Sequence, residues 1–230
     1  MIETTLETSY QALESRIAAA CERVGRKREE VLFLPVTKTQ PIHSIQALYD
    51  LGCRQFAESR VQELLKKREA LPNDIHWHLI GHLQSNKARQ IAEFIHRVHS
   101  IDTLDTAVEL SERAEQNGRT ITALVEVNIS GEQQKNGVQP ANAGGLALSI
   151  VRDCPHISLA GFMGMASFED DPERTRPQFR ALRNLSNSLK ESHPELSNLK
   201  ELSIGMSNDF EVAIEEGATI VRIGSALFLG

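Results

Sequence analysis

Residues 31–40 read VLFLPVTKTQ. The run from Val31 to Val36 is apolar and favours extended backbone, and Pro41 stops it. Between Thr37 and Thr39, at the carboxyl end of that run, stands Lys38. The interior of a buried strand excludes an unpaired ammonium, so a lysine at its end needs a partner or a task. In α/β proteins the carboxyl ends of the strands are where ligands are held. The rest of the chain reads as a frame around the Lys38 amine.

Downstream the pattern alternates. A helix expected from Pro41 turns Ile42, Ile45, Leu48 and Leu51 inward and ends at Gly52. A short strand is expected over 54–57, and the next helix opens with Ser59-x-x-Gln62, the spacing of a capping box. Further strands are expected over 76–81, 96–101, 121–130, 158–166, 200–204 and 219–224. Between them lie helical patterns starting near Ser85, at 103–117, from Pro140 to about Asp153, after Pro172 and Pro177, and from Ser207 to Gly217. Strict strand–helix alternation implies a parallel sheet. About eight such units, with no G-x-G-x-x-G after the first strand, predict a single α/β domain over 1–230, a (β/α)8 TIM-type barrel. Upstream, Leu6, Tyr10, Leu13, Ile17, Cys21 and Val24 recur at three- and four-residue steps before Gly25. They predict an extra N-terminal helix within 1–25 that packs on the barrel.

The chain of 230 residues carries a net charge of −6, with both signs interspersed. That disfavours nucleic acid or an anionic membrane as its main partner. No stretch approaches the length of a membrane span, and the opening MIETTLETSY is unlike a secretory signal. Three widely spaced cysteines, Cys21, Cys53 and Cys154, suit reduced thiols in a cytoplasmic protein.

In a barrel all strand-to-helix loops share one rim, so Lys38 faces the ends of distant strands. After the seventh strand comes Gly205-Met206-Ser207-Asn208, and after the eighth Gly224-Ser225. Hydroxyls and close-approaching backbone at these two loops suit a phosphate; alternatively, Ser207 caps its helix and Gly224 turns the chain. Arg222 lies in the eighth strand, where burial demands acceptors: a strand carboxylate such as Glu126, or a ligand. An amine, a phosphate site and a buried arginine together suit a phosphorylated carbonyl compound bound as a lysine Schiff base. Pyridoxal 5′-phosphate (PLP) meets all three: aldehyde to Lys38, phosphate to Ser207, Gly224 and Ser225, pyridine nitrogen to Arg222. An arginine there keeps the nitrogen unprotonated and weakens the ring as an electron sink. An aldolase using Lys38 without PLP is an alternative. His76 and His78 share a strand face and His82 follows, but no cysteine or carboxylate stands near to complete a metal set, so no metal is expected. Lys87 and Lys135 are further amines near strand ends, and Glu58 and Glu63 carry no assignable acid–base role.

The segments PVTKTQP, FAESRVQE, HLIGHLQSNK, HSIDT, GFMGMA and LSIGMSNDFEVAIEEGATIVRIGSALF, with Glu132, Lys135 and Gly137 after VNIS, carry a resemblance that spans nearly the whole chain. It resembles the pyridoxal phosphate homeostasis protein family, related to the barrel domain of alanine racemase. The resemblance implies a PLP fold type III barrel, cytoplasmic and monomeric. Lys38 would hold PLP as an internal aldimine, Ser207, Gly224 and Ser225 would meet its phosphate, and Arg222 its pyridine nitrogen. Met206 and Asn86 match pocket-lining positions. Ala57, Ser59 and Arg60 stand where many members have glycine, asparagine and tyrosine, and Ser225 replaces a usual threonine. The related racemases add a second, β-rich domain that supplies an acid–base group; this chain ends soon after the eighth strand. The expected role is therefore a PLP carrier or regulator of vitamin B6 and amino-acid pools, with PLP-dependent apoenzymes as recipients and no catalytic residue. The alternative is a weak amino-acid racemase on the same barrel, and a third is a scaffold that acts through its N-terminal helix.

Overall fold

The computed structural model describes residues 2–132 and 134–229; Met1 and Gly230, the two ends of the expected unit, lie outside the described residues. The strands are β1 (Leu32–Pro35), β2 (Gln55–Glu58), β3 (His76–Leu79), β4 (Arg97–Ile101), β5 (Ile121–Val127), β6 (Ile157–Gly164), β7 (Glu201–Ser203) and β8 (Ile220–Ile223). The helices are α1 (Ile2–Arg23), α2 (Ile42–Asp50), α3 (Val61–Ala70), α4 (Ala88–Ile91), α5 (Leu104–Gln116), α6 (Pro140–Asp153), α7 (Arg176–Ser192), α8 (Phe210–Glu215) and α9 (Ser225–Phe228). All strand pairs are parallel, in the order β1-β8-β7-β6-β5-β4-β3-β2. A single bridge between Val36 and Ala57 brings β1 to β2. The expected TIM barrel is thus nearly closed, and its carboxyl rim gathers the loops that follow every strand.

Strand side chains alternate between two environments. Phe33, Phe56, Leu79, Val98, Phe162, Val221 and Ile223 belong to one apolar cluster with Ile45, Leu48, Leu64, Leu110, Ile150, Phe179 and Ile214 of the surrounding helices. A second cluster holds only Leu34, Val36, Ala57 and Ile220, with Leu32 and Ile80 packed against it. Helix α1 packs on this body. Leu6, Leu13, Ile17 and Cys21 are buried, Tyr10 stacks on Phe33 with centroids 5.3 Å apart, and Arg16 and Arg23 pair with Glu211 and Glu215 of α8 at 2.9 and 2.6 Å. Gly25, at φ 68°, ends the helix as its freedom from a Cβ permits.

Three local expectations fail for physical reasons. Ser59-x-x-Gln62 forms no capping box: α3 begins at Val61, after an extended Arg60 that makes no side-chain cap bond. Ser59 instead packs against Gly81, where a Cβ would lie 2.1 Å from the Ser59 carbonyl oxygen. Strand β5 stops at Val127 because Asn128 turns the chain: its Nδ2 donates to the Glu132 carbonyl (2.8 Å) and its Oδ1 accepts from the Gly131 amide (3.1 Å). The helix expected near Ser85 divides into a 3-10 turn, Ser85–Lys87, and the short α4. Among the described residues no helix is long and apolar enough to cross a membrane. All three cysteines are free thiols, and burial pushes their pKa values up.

Candidate functional site at the carboxyl rim

Strands β1 and β8 lie side by side, Pro35 opposite Ile223, with the Val36 amide donating to the Ile223 carbonyl at 2.9 Å. Gly224 therefore sits beside Val36, and a Cβ there would come within 3.2 Å of the Val36 carbonyl oxygen. Lys38 follows two residues later, beyond the end of the first strand where it pairs with the last.

The loop after β7 makes the next contact. Gly205 adopts φ 90°, and a Cβ on it would meet the Ala213 Cβ at 2.5 Å, so only glycine lets the loop turn against α8. Ser207 does not cap α8: that helix starts at Phe210, and Asp209 Oδ1 accepts the Met206 amide at 2.6 Å. The freed Ser207 hydroxyl crosses to β8, where its Oγ accepts the amides of Gly224 (3.3 Å) and Ala226 (3.2 Å). Two amides thus point at one hydroxyl oxygen, with the exposed Ser225 between them. Such a cluster suits phosphate oxygens.

Arg222 is 3% exposed. Its Nη1 donates to Ser203 Oγ at 2.8 Å and to the Ser203 carbonyl, and its Nη2 to the Gly164 carbonyl at 3.1 Å. These bonds replace the considered ion pair with Glu126, which acts on Arg222 only through its longer-range charge. Desolvation lowers the Arg222 pKa to about 10, against the pull of Glu126 and Asp209, so the guanidinium keeps its charge at neutral pH. Glu126 itself is pushed up to about 7, first by burial and then by the charge of Asp102, while Arg222 and His82 oppose the rise.

The reading of Lys38 as a buried strand-end charge needs correction. Thr37 is the buried residue; Lys38 is exposed in a turn beyond the strand. Thr37 Oγ1 donates to Glu58 Oε1 (2.6 Å), and Lys67 Nζ donates both to Glu58 Oε1 (2.6 Å) and to the Thr37 carbonyl (2.7 Å). A buried ion pair therefore clamps the residue before Lys38. On the other side Thr39 has φ 65°, an unfavourable conformation for a β-branched residue. The amine borders a cavity of about 420 Å³ with Glu58, Ser59 and Arg60.

The remaining expected residues spread along the rim. Met206 is exposed and lines a smaller cavity with Lys135, Ser167, Phe168 and Asp209. Asn86 is exposed on the turn after β3, and among the described residues no hydrogen bond ties it to the Ser207 cluster. Lys135 is held by Glu132 at 2.5 Å and the Ala166 carbonyl at 3.1 Å. Lys87 stands half-buried beside Asn86. The sequence reading missed Ser203, which holds Arg222, and it missed what stands behind Ser203. His99 Nδ1 lies 2.9 Å from Ser203 Oγ, and His99 in turn meets His78. Nothing local in the sequence signals this.

The fold and the rim define a barrel of the alanine racemase N-terminal type: the family model described as "Alanine racemase, N-terminal domain" matches residues 8–230. An alanine racemase of Clostridium difficile 630 shares that fold at TM-score 0.74 and 18% identity, over 97% of this chain and 56% of that one. The pyridoxal phosphate homeostasis protein of Aquifex aeolicus (strain VF5) is 43% identical over 214 residues, 93% of this chain and 92% of that protein. PipY of Synechococcus elongatus PCC7942 is 32% identical; its structure without PLP has TM-score 0.83 over 94% of this chain and 99% of its own. Its structure with PLP bound has TM-score 0.79 over 92% and 99%. The chain belongs to the pyridoxal phosphate homeostasis protein family.

Proposed function

We propose that this protein binds PLP at the carboxyl rim through Lys38 and holds it for release, rather than turning over a substrate. What supports this reading is that Lys38 follows β1, which pairs with β8, the strand that carries the charged Arg222 and leads into the Ser207–Gly224–Ala226 cluster. The donor set fits the group. A phosphate takes the hydroxyls of Ser207 and Ser225, and the amides of Gly224 and Ala226 turn from Ser207 Oγ to its oxygens. When bound, PLP supplies an aldehyde that exchanges its oxygen, lost as water, for the nitrogen of a primary amine. Arg222 has only donors to offer, so it presents a hydrogen bond to the pyridine nitrogen and disfavours a proton there. Met206 and Asn86 line the approach. The exposed turn of Lys38 leaves the amine open to water and to competing amines, which makes the tether reversible. We assign the 1–230 unit to the cytoplasm as a monomer that serves vitamin B6 and amino-acid balance, with PLP-dependent apoenzymes as recipients.

The test is the mass of the peptide labelled when PLP-loaded protein is reduced with borohydride. Lys38 should carry the label, and the visible band of bound PLP should vanish in Lys38→Ala. A label on Lys87 or Lys135 instead would sink the assignment, and sustained amino-acid turnover by wild type but not Lys38→Ala would replace the carrier by an enzyme.

A further inference from the structure

Five side chains from five strands form one hydrogen-bonded line across the barrel interior. Gln55 Oε1 lies 3.0 Å from His78 Nε2, His78 Nδ1 2.9 Å from His99 Nε2, His99 Nδ1 2.9 Å from Ser203 Oγ, and Ser203 Oγ 2.8 Å from Arg222 Nη1. The direction follows from the ends. Gln55 Oε1 only accepts, so His78 carries its hydrogen on Nε2 and its Nδ1 accepts from His99. At the other end Ser203 Oγ accepts from Arg222, and its hydroxyl donates to the free His99 Nδ1 lone pair. His99 then carries its hydrogen on Nε2 and donates to His78 Nδ1, and the His78 Nε2–H donates to Gln55 Oε1. Each ring keeps one hydrogen and one lone pair, so both are neutral, and a second proton on either would set donor against donor. Burial pushes both pKa values well down, assisted at His78 by His99 and at His99 by Arg222.

We propose that Ser203, His99, His78 and Gln55 are positioning residues for Arg222, whose guanidinium they orient and leave charged with no hydrogen-bonded carboxylate partner. The inference rests on the assignment of Arg222 to the pyridine nitrogen. A carboxylate in place of Ser203 would neutralise much of the field that Arg222 directs at the rim. A line of neutral groups orients the same guanidinium and leaves that field intact. The far end is not sealed: Gln55 borders a cavity of about 660 Å³ at the amino-terminal mouth, with His96, Arg97 and Glu201. The donor at one mouth of the barrel is thereby set from the other.

Imidazole nitrogen NMR on the PLP-free protein reads the tautomers directly. Both His78 and His99 should be neutral with hydrogen on Nε2 at pH 6–8; a Nδ1–H tautomer or an imidazolium at His99 overturns the proposal. With PLP, Ser203→Ala should weaken binding about tenfold and shift the absorbance maximum of the bound cofactor. Ser203→Thr, which keeps the hydroxyl, should restore both. Gln55→Leu, remote from the rim, should move the maximum in the same direction by less. Folded Ser203→Ala and Gln55→Leu proteins with wild-type affinity and spectrum would overturn the proposal. The tautomers are read without PLP, so they stand or fall separately from the Lys38 assignment.

Discussion

The outward and inward faces of the same eight strands are built from different materials. Outward, Phe56, Phe162 and Val221 join a continuous apolar layer under the helices. Inward, the apolar cluster is small, and Gln55, His78, His99, Ser203 and Arg222 occupy the middle as a hydrogen-bonded line. Period-two alternation lets each short strand serve both faces. Stability thus resides mainly in the outer layer, while the inner face carries buried charge and a line of hydrogen-bonded polar groups. A buried polar interior is tolerable only where its members are paired. The line from Gln55 to Arg222 is paired throughout, while the Arg97 Nε on the same face lacks a hydrogen-bond partner among the described residues.

That division can be attacked from either side. Phe179→Ala, in the outer layer at 0% exposure, should cost about 3–5 kcal/mol in urea unfolding. The loss should be the same from pH 5 to 8, with the bound-PLP spectrum of the folded protein unchanged; a pH-dependent loss would blur the two faces. Glu126→Gln, on a 3% exposed inner position, should act through pH instead. The folded pKa of about 7 lies above the ordinary carboxylate value of 4.5. The stability from a neutral Glu126 is therefore fully present at low pH and lost as pH rises through about 7. Between pH 5 and 8 the variant should lose about 2 kcal/mol less than wild type, read from urea midpoints across that range. The buried histidines act in the opposite sense. Their depressed pKa values give stability that is present above about 6.5 and lost as pH falls. Smallest should be Arg16→Ala. Its guanidinium lies 4.7 Å from the Phe210 ring and pairs with Glu211 at the surface. The cost should stay below about 1 kcal/mol, with PLP binding unaffected.

The outer face was legible in the sequence because a helix or strand packed on one side writes its period into the chain. Pro140 to Asp153 marks α6 at both ends, and the repeats place Leu6, Leu13, Ile17 and Cys21 of α1 and Ile45 and Leu48 of α2 in the core. Val24, Ile42 and Leu51, also expected inward, are exposed at the helix ends. The rim was legible in part. Arg222 and Gly224 stood out as an arginine and a glycine beside apolar strand residues. Ser207 looked equally like a helix cap, because a hydroxyl that crosses to another strand has the same local spacing as one that caps. Lys38 looked buried because its neighbours are. Only the Glu58–Lys67 pair, with partners 21 and 30 residues from Thr37, shows that the burial stops one residue earlier. The inner line was not legible. His78 and His99 are 21 residues apart and His99 and Ser203 104 apart, so only closure of the barrel brings them into contact.

Closure itself is uneven around the circumference. Strands β5 and β6 are paired along seven residues, whereas β1 and β2 meet at Val36 and Ala57, with the Thr37 amide donating to the Ala57 carbonyl at 2.9 Å. The cylinder has a seam, and Lys38 stands at its upper edge. Local opening is cheapest where fewest ladder bonds must break together, so the Thr37 amide should exchange its hydrogen faster than those along β5. Lys38 thus stands beside a sparsely paired stretch of the wall, where the wall can breathe without the barrel coming apart.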